Sequence, residues 1–329
     1  MGNALRVGII GAGVGLKGHA KSIKSIPFVN GVPVSVSAIS SLYLTEEQKQ
    51  ILRSDFPETT VFVGPESATR LTDSPEVDAV IIASPDSLHV YHAEQVLASG
   101  KPGLIEKPFV LDRIEGNRLV DYASSRNLSL GLSTQMRYHE RPRRILEEMA
   151  RRKTGSLDPI SVEISYLLRA PNNGRDVAHP GIDILPHVIA LFPLMHITGI
   201  NRASQSMDFL EFKLETGCGF VNGSILMGYV PESQKPSRTI RLYSESGIAE
   251  TLTHEGSNKV HGEGVYYERW TKQGDGEKEA WVMDPRGELL RDWFAEVLSH
   301  DPIKIRATHE RAYREHNTFM DAMEVWKKG

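Results

Sequence analysis

The chain has 329 residues, 40% hydrophobic and 24% charged, with a formal net charge of -4 and a pI near 6.3. That balance is ordinary for a globular protein and gives no global attraction to nucleic acid or to an anionic membrane. The length favours two domains, the single cysteine, Cys218, excludes an intrachain disulfide, and no apolar run reaches membrane-spanning length.

A first strand starts by Arg6, which leaves no room for a secretory leader and makes a cytoplasmic protein the expectation. Arg6 to Ile10 is a short β-rich run ending in glycines, and His19 to Ile26 reads as a helix. Val34 to Ile39 is the next strand, followed by a helix over Thr45 to Ser54 with Glu46 and Glu47 in its first turn. Val61 to Val63 is a brief strand. Val77 to Ala83 is nearly all apolar, as a strand covered on both faces should be. A helix over Ser87 to Ser99, a strand at Leu104 to Glu106, a helix over Ile114 to Arg126 and a strand over Leu128 to Leu132 complete an alternating pattern. Such alternation indicates a parallel sheet with helices on both faces.

Beyond Thr134 the pattern changes. Arg141 to Arg152 reads as a basic helix whose arginines form a solvated face. A histidine-bearing helix spans about Ile182 to Met195, and strand-like runs dominate the rest: Ile160 to Leu168, Phe209 to Leu214, Gly219 to Met227, Arg238 to Tyr243, Ile248 to Thr253, Val265 to Thr271 and Ala280 to Val282. Helices over Leu289 to Leu298 and His309 to Lys327 close the chain. The fold class is α/β. A doubly wound, Rossmann-type parallel sheet over residues 1–134 precedes an α+β domain over 135–329 with a large, mostly antiparallel sheet. The closing helices are able to pack back on the first domain.

Gly11-Ala12-Gly13-Val14-Gly15-Leu16 lies between the first strand and the first helix. There Gly11 permits a tight turn, Gly13 lets backbone amides approach a pyrophosphate, and the helix N-terminus adds partial positive charge. A third glycine would fall at position 16, where the chain has Leu16. Either the turn is displaced toward Gly15 and Gly18, or Leu16 packs helix on strand. The second strand ends in Ser40-Ser41 with no acidic residue before Glu46, which removes the usual partner of an NAD ribose hydroxyl and tilts the cofactor slightly toward NADP. Glu106-Lys107-Pro108 then puts a lysine at a strand end of the same domain, where an ammonium can hold a substrate hydroxyl beside a nicotinamide.

Taken together these segments resemble the Gfo/Idh/MocA family of NAD(P)-dependent sugar and cyclitol oxidoreductases. Gly11-x-Gly13 is followed by His19-Ala20. Ser84-Pro85-Asp86-Ser87-Leu88-His89 is similar to the family's T-P-N-x-x-H segment, and Gly100-Lys101-Pro102 with Glu106-Lys107-Pro108 to its G-K-x…E-K-P ending. Gln135-Met136-Arg137-Tyr138 resembles R-R-[FY], and Asp183-x-x-x-His187 has the spacing of D-x-G-x-H.

The resemblance implies Lys107 and His187 as the catalytic pair, with Asp183 one turn away on the same helix face. It also implies cofactor contacts at Gly11, Gly13, Val14, Gly15, Leu16, Ser40, Ser41, Ser84, Pro85, His89, Glu106, Lys107 and Arg137. The substrate would be a polyhydroxylated small molecule held by Lys107, Asp183 and His187, with Arg169 and His179 as further contacts. A histidine near its ordinary pKa suits the base that takes the O–H proton as hydride leaves, and a lysine eases alkoxide character.

The helix motif departs from the family at Leu185, Pro186 and Ala190. A proline is tolerated in a first helical turn, so the helix is expected to begin near Asp183. His179 and His196 compete with His187 for the base, His89 is either structural or a cofactor neighbour, and Tyr166 reads as sheet packing. The spacing of His179, His187 and His196 does not place them on one helical face, and no metal site is expected. Family members commonly pair through the second sheet, so a homo-oligomer is implied. A non-catalytic dinucleotide-binding regulator of the same fold and a redox-assisted elimination or glycoside cleavage stay open as alternatives.

Overall fold

The computed structural model describes residues 4–139, 161–169, 180–192, 195–204, 207–216, 219–230, 233, 236–244, 247–254, 258–259, 266–274 and 277–328. It divides into two compact units, Met1–Thr134 with Arg286–His316, and Gln135–Pro285 with Asn317–Gly329.

The first unit runs β1 (Leu5–Ile10), α1 (Val14–Ser25), β2 (Phe28–Val29), β3 (Val32–Ser41), α2 (Glu46–Asp55), β4 (Thr60–Val63), α3 (Ser67–Asp73), β5 (Ala79–Ile82), α4 (His89–Ala98), β6 (Gly103–Glu106), α5 (Arg113–Ser125) and β7 (Leu130–Ser133). The strand order is β4-β3-β1-β5-β6-β7, all parallel, with β2 added antiparallel to the start of β3. The chain winds outward from β1 through β3 to β4 and then returns to β5 on the other side. The strand order therefore reverses around β1, where such sheets open a crevice at their carboxyl ends.

Local chemistry explains the elements. Ala79 to Ile82 are all buried, as a two-faced central strand requires. The Thr45 hydroxyl accepts from the Gln48 amide while the Gln48 side chain accepts from the Thr45 amide, a capping box that starts α2. The short α3 shows too few residues for its period to be legible. The helix α1 starts five residues before the sequence reading placed it, at Val14: Leu16 is 4% exposed and packs inward, and Gly18 is a helical residue rather than part of a displaced turn.

The C-terminal helices α7 (Pro285–Ser299) and α8 (Pro302–Lys328) follow the second sheet in sequence, yet Arg286 to His316 belongs to the first unit. The Trp293 indole N–H donates to Ser129 Oγ (3.2 Å), the Thr134 hydroxyl to Glu315 (2.9 Å), and His309 is hydrogen-bonded to Ser124 Oγ (2.8 Å) and Leu128 O (2.9 Å).

The second unit starts with a 3-10 turn, Gln135–Tyr138, and contains β8 (Ser161–Arg169), α6 (Pro180–Leu191), β9 (Met195–Ser204), β10 (Met207–Thr216), β11 (Gly219–Val230), β12 (Ser237–Ser244), β13 (Gly247–His254), β14 (Asn258–Lys259), β15 (Tyr266–Gly274) and β16 (Glu277–Met283). The sheet order is β14-β15-β13-β12-β8-β11-β10-β9, with β16 on β15, and among the described residues only β8 and β11 of this sheet pair in parallel. One face packs on α6: Val162, Ile164, Tyr166, Leu210, Phe212, Ile225 and Met227 form a core with Ile184, Leu185, Val188 and Phe192.

The histidine helix differs from expectation at both ends. It starts at Pro180, so Pro186 is a helix-interior residue rather than a first-turn one. A proline there removes the amide that would bond the carbonyl four residues back. What holds the helix is burial of Ile184, Leu185, Val188 and Ile189, and the seat of Gly181 on Trp326, where a Cβ would fall 1.3 Å from the indole ring. At its other end Phe192 N–H bonds both Val188 O and Ile189 O (3.1 Å each), and Met195 and His196 belong to β9. The helix expected over 141–152, with its arginines, and the residues Cys218 and His179 lie outside the described residues.

Phe212 lies directly opposite Gly223 in the β10–β11 pair, and a Cβ on that glycine would fall 2.1 Å from the ring. The ring fills the missing side chain's space and meets Phe192 at 6.3 Å. Phe212→Ala should therefore cost about 3–5 kcal/mol, read as a lowered midpoint in chemical unfolding.

Candidate functional site

The carboxyl edge of the first sheet gathers four strand ends, those of β1, β3, β5 and β6. At the end of β1, Gly11 has φ 110°, and its N–H donates to Ser40 O (2.8 Å). A Cβ there would stand 2.3 Å from Ala83 O and 2.6 Å from Ala83 C, so crowding by the β5 backbone, as well as the dihedral, demands glycine. Gly13 is the N-cap of α1 and supplies no side-chain cap, and the first turn carries no acidic residue. The first-turn amides are thus a donor set suited to an anion such as a dinucleotide diphosphate.

At the end of β3, Ser40 is fully buried, while the Ser41 hydroxyl donates to Tyr43 O (2.8 Å). Leu42 and Tyr43, which the sequence reading passed over, are 70% and 73% exposed. After β5, Pro85 is exposed, and Ser84 is tied down through both its hydroxyl, bonded to His92 Nδ1 (2.9 Å), and its carbonyl. Burial pushes His92 down to about 4, so its ring is neutral. His89 is fully buried, with Nε2 on Ser84 O (3.0 Å) and Nδ1 on Pro108 O (2.9 Å) and Phe109 O (3.1 Å). It joins the loops that follow β5 and β6, and acts as a scaffold of this edge rather than as a group open to a ligand.

At the end of β6 the Glu106 carboxylate is turned inward. His19 Nε2 lies 2.6 Å from Oε1, the Lys107 amide donates to Oε2 (3.1 Å), and the Ser133 hydroxyl donates to Oε1 (3.3 Å). Burial alone would raise this carboxyl. The His19 hydrogen bond and the positive charges around it, Arg286 and Lys107 among them, outweigh burial and hold Glu106 well below the ordinary carboxylate range. His19 is fully buried, and burial pushes its ring below the usual histidine value against the pull of Glu106. Its Nδ1 is buried and meets no hydrogen-bonding group among the described residues, which is where a neutral ring keeps its lone pair. Neutral His19 donating from Nε2 to ionised Glu106 satisfies both observations. Lys107 is half-buried and joined to Pro108 by a cis peptide.

In the second unit, α6 carries Asp183 and His187 one turn apart, both half-buried. The Tyr229 hydroxyl donates to Asp183 Oδ2 (3.1 Å). Burial first, then the charge and hydrogen bond of Asp183, push the Tyr229 phenol far above its ordinary value, so it remains a donor. The His187 ring stacks on Tyr166, with centroids 6.0 Å apart and planes within 3°. Tyr166 in turn lies under the Arg238 guanidinium at 4.7 Å. Tyr166 is therefore core packing that also orients the histidine. Tyr229 and Arg238 went unread in the sequence because strand periodicity marks them as sheet residues only.

Arg137 is half-buried in the 3-10 turn, and Arg169 is the last residue of β8. His196 is exposed on β9, near Glu215 (3.6 Å) and against the edge of Phe220, on a different element from His187. Among the described residues no group of three or more His, Cys, Asp or Glu is placed to hold a metal, and no helix is long and apolar enough to cross a membrane.

A doubly wound sheet with a glycine-cradled helix N-terminus, followed by a large mostly antiparallel sheet, defines the dinucleotide-binding oxidoreductase class of fold. Residues 5–133 match the Gfo/Idh/MocA oxidoreductase family, described by its NAD-binding Rossmann fold. Residues 5–133 thus carry the NAD(P)-binding Rossmann domain of the Gfo/Idh/MocA oxidoreductase family. Among curated proteins it is similar to the UDP-N-acetylglucosamine 3-dehydrogenase of Acidithiobacillus ferrooxidans, 44% identical over 64 residues (20% of each chain). It is also similar to the D-xylose 1-dehydrogenase (NADP(+)) of Hypocrea jecorina, 28% identical over 159 residues, 46% of this chain and 40% of that one. These matches span 20–40% of the relatives' own lengths.

Solved structures of the same fold include a 3-ketoreductase from Actinomadura kijaniata, as a point variant in complex with TDP-benzene and NADP. Its TM-score is 0.72 at 19% identity, over 97% of this chain and 96% of that one. The Acidithiobacillus ferrooxidans dehydrogenase has a TM-score of 0.68 at 20% identity over 98% and 97%.

Because the Glu106 carboxyl is depressed below its ordinary value of 4.5, it contributes stability that is present above that pH and lost as the pH falls below it. Thermal melting across the acid range should show a shallower loss of midpoint for Glu106→Gln than for the wild type.

Proposed function

We propose that the protein is an NAD(P)-dependent dehydrogenase or reductase that interconverts a secondary alcohol and ketone on a sugar, cyclitol or sugar-nucleotide substrate. The observation that carries this reading is the glycine cradle at β1 and the Glu106-Lys107-Pro108 segment at β6, two strands apart on one edge of one sheet. The sugar and sugar-nucleotide chemistry in the names of the relatives supports the substrate class.

Gly11, Gly13 and the backbone of Val14, Gly15 and Leu16 would hold the cofactor's diphosphate. Ser41 without a neighbouring carboxylate accommodates a 2′-phosphate, which keeps the preference tilted toward NADP. When bound, the nicotinamide supplies the two-electron donor or acceptor. Lys107 presents an ammonium to the reacting oxygen and offsets the negative charge that develops there. His187 takes the hydroxyl proton in oxidation and returns it in reduction, its ring oriented by Tyr166, with Asp183 beside it on the helix.

The reading includes self-association through the sheet face turned away from α6. There Glu163, Glu211, Asn222, Ser224 and Tyr243 line a depression of about 500 Å³.

Nicotinamide absorbance, followed for a panel of sugars, cyclitols, sugar nucleotides and their keto forms with each cofactor, tests the reaction. Lys107→Ala should lower turnover by about 10²–10⁴-fold with cofactor affinity nearly kept; full turnover in that variant overturns the assignment of the lysine. His187→Ala should reshape the pH dependence of the rate, and a profile superposable on wild type would move the base to another group. Gly11→Ala should weaken dinucleotide binding and lower the melting midpoint together, since a methyl group at that position collides with the Ala83 backbone.

A further inference from the structure

A dinucleotide seated on the glycine cradle sends its two nucleosides in opposite directions along the carboxyl edge of the sheet. With the nicotinamide toward β6, the adenosine runs across the end of β3, where its ribose meets Ser40 and Ser41. The bond from Gly11 N–H to Ser40 O (2.8 Å) makes the cradle and this strand end direct neighbours. The adenine is bonded to that ribose, so it comes to the segment that leaves β3: Leu42, Tyr43 and Leu44.

That segment is anchored on both sides. The Ser41 hydroxyl donates to Tyr43 O (2.8 Å), and the Gly64 amide donates to Ser41 O (3.1 Å), which ties the turn to the end of β4. Leu44 is buried, and the capping box at Thr45 starts α2 directly after it. Between these anchors Leu42 and Tyr43 stand exposed, and among the described residues no hydrogen bond or ring contact engages the Tyr43 side chain. A single exposed apolar residue is ordinary on a protein surface. Here two are adjacent on a fixed turn, and Val63, the register partner of Ser41, adds a third at 40% exposure. Gly64 follows with φ 110° and nothing within 4 Å of where a Cβ would stand, so the space beside these side chains is open.

The charges point the same way. From Ser40 to Thr45 the chain carries no charged side chain, and Glu46 is paired with Lys49 (2.6 Å). The segment offers an incoming nucleoside apolar and aromatic surface, and no ion pair.

We propose that Tyr43, with Leu42 beside it, is the adenine-binding residue of this chain: its ring gives the base a flat apolar surface to stack on, and holds the adenosine half of NAD and NADP alike. The proposal rests on the reading of the glycine cradle as the dinucleotide site. Stacking uses the ring face and not the phenol hydroxyl.

Calorimetric titration of the full-length protein with NAD and with NADP tests this. Tyr43→Ala should weaken both by about 5–100-fold, and by the same factor for each. Tyr43→Phe should bind both as the wild type does. The side chain is exposed, so the melting midpoints of the three proteins should agree.

Unchanged affinity in Tyr43→Ala overturns the proposal, and a changed oligomer mass in that variant by light scattering would then make Tyr43 a subunit contact. A loss confined to NADP, or one shared by Tyr43→Phe, also overturns it, because the hydroxyl rather than the ring would be the recognised group. Failure of the cradle reading is distinguishable: the wild type would bind neither dinucleotide, or Gly11→Ala would bind both as tightly as the wild type.

Discussion

An ionised carboxylate turned into the body of a protein is costly unless hydrogen bonds and charge compensate it. Glu106 is such a group, with a side chain only 16% exposed at the end of β6. Its compensation is drawn from α1 through His19, from β7 through Ser133, from its own neighbour through the Lys107 amide, and from α7 through the charge of Arg286. Elements far apart in sequence are therefore held in register at the edge of the sheet where the cofactor would lie. The direction in which Lys107 leaves the strand is set by the same bonds, since its own amide is one of the donors.

Backbone crowding complements this electrostatic clamp. Gly11 brings the end of β1 so close to Ala83 that a single methyl group would overlap the β5 carbonyl, and His89 ties the following loop to the segment after Lys107. The carboxyl edge of the sheet is thus braced from below by buried polar groups. The C-terminal helices add bonds of the same kind, from Thr134 to Glu315 and from Leu128 to His309. They also deliver Arg286.

The second unit solves a different problem, which is how to orient one imidazole on a helix. Asp183 is engaged by Tyr229, and His187 lies flat on Tyr166, itself capped by Arg238. A ring lying parallel to an aromatic neighbour is held in its plane by that contact. Pro186 beside it sits inside the helix, where burial of the neighbouring aliphatic side chains offsets the lost backbone bond.

The residues themselves were sufficient for most of the alternating strands and helices of the first unit, α3 and the two-residue β2 excepted, because those elements have a periodicity or a cap that acts over a few positions. The glycine turn, the strand-end lysine and the Asp183–His187 spacing were legible for the same reason: all are local patterns. Less was legible where neighbours in space override neighbours in sequence. The start of α1 at Val14, with Gly18 inside the helix, depends on Leu16 finding the core and on a guanidinium from 268 positions further along occupying the glycine's open side. The start of α6 at Pro180 depends on Trp326 filling the space beside Gly181. His89 reads as a cofactor neighbour from its motif, and only its bonds to Ser84, Pro108 and Phe109 make it a scaffold. Local pattern determined which chemistry the chain carries; long-range packing and charge balance decided which of those residues bear on a ligand and which hold the others in place, because burial and electrostatic compensation are properties of contacts that sequence order does not encode.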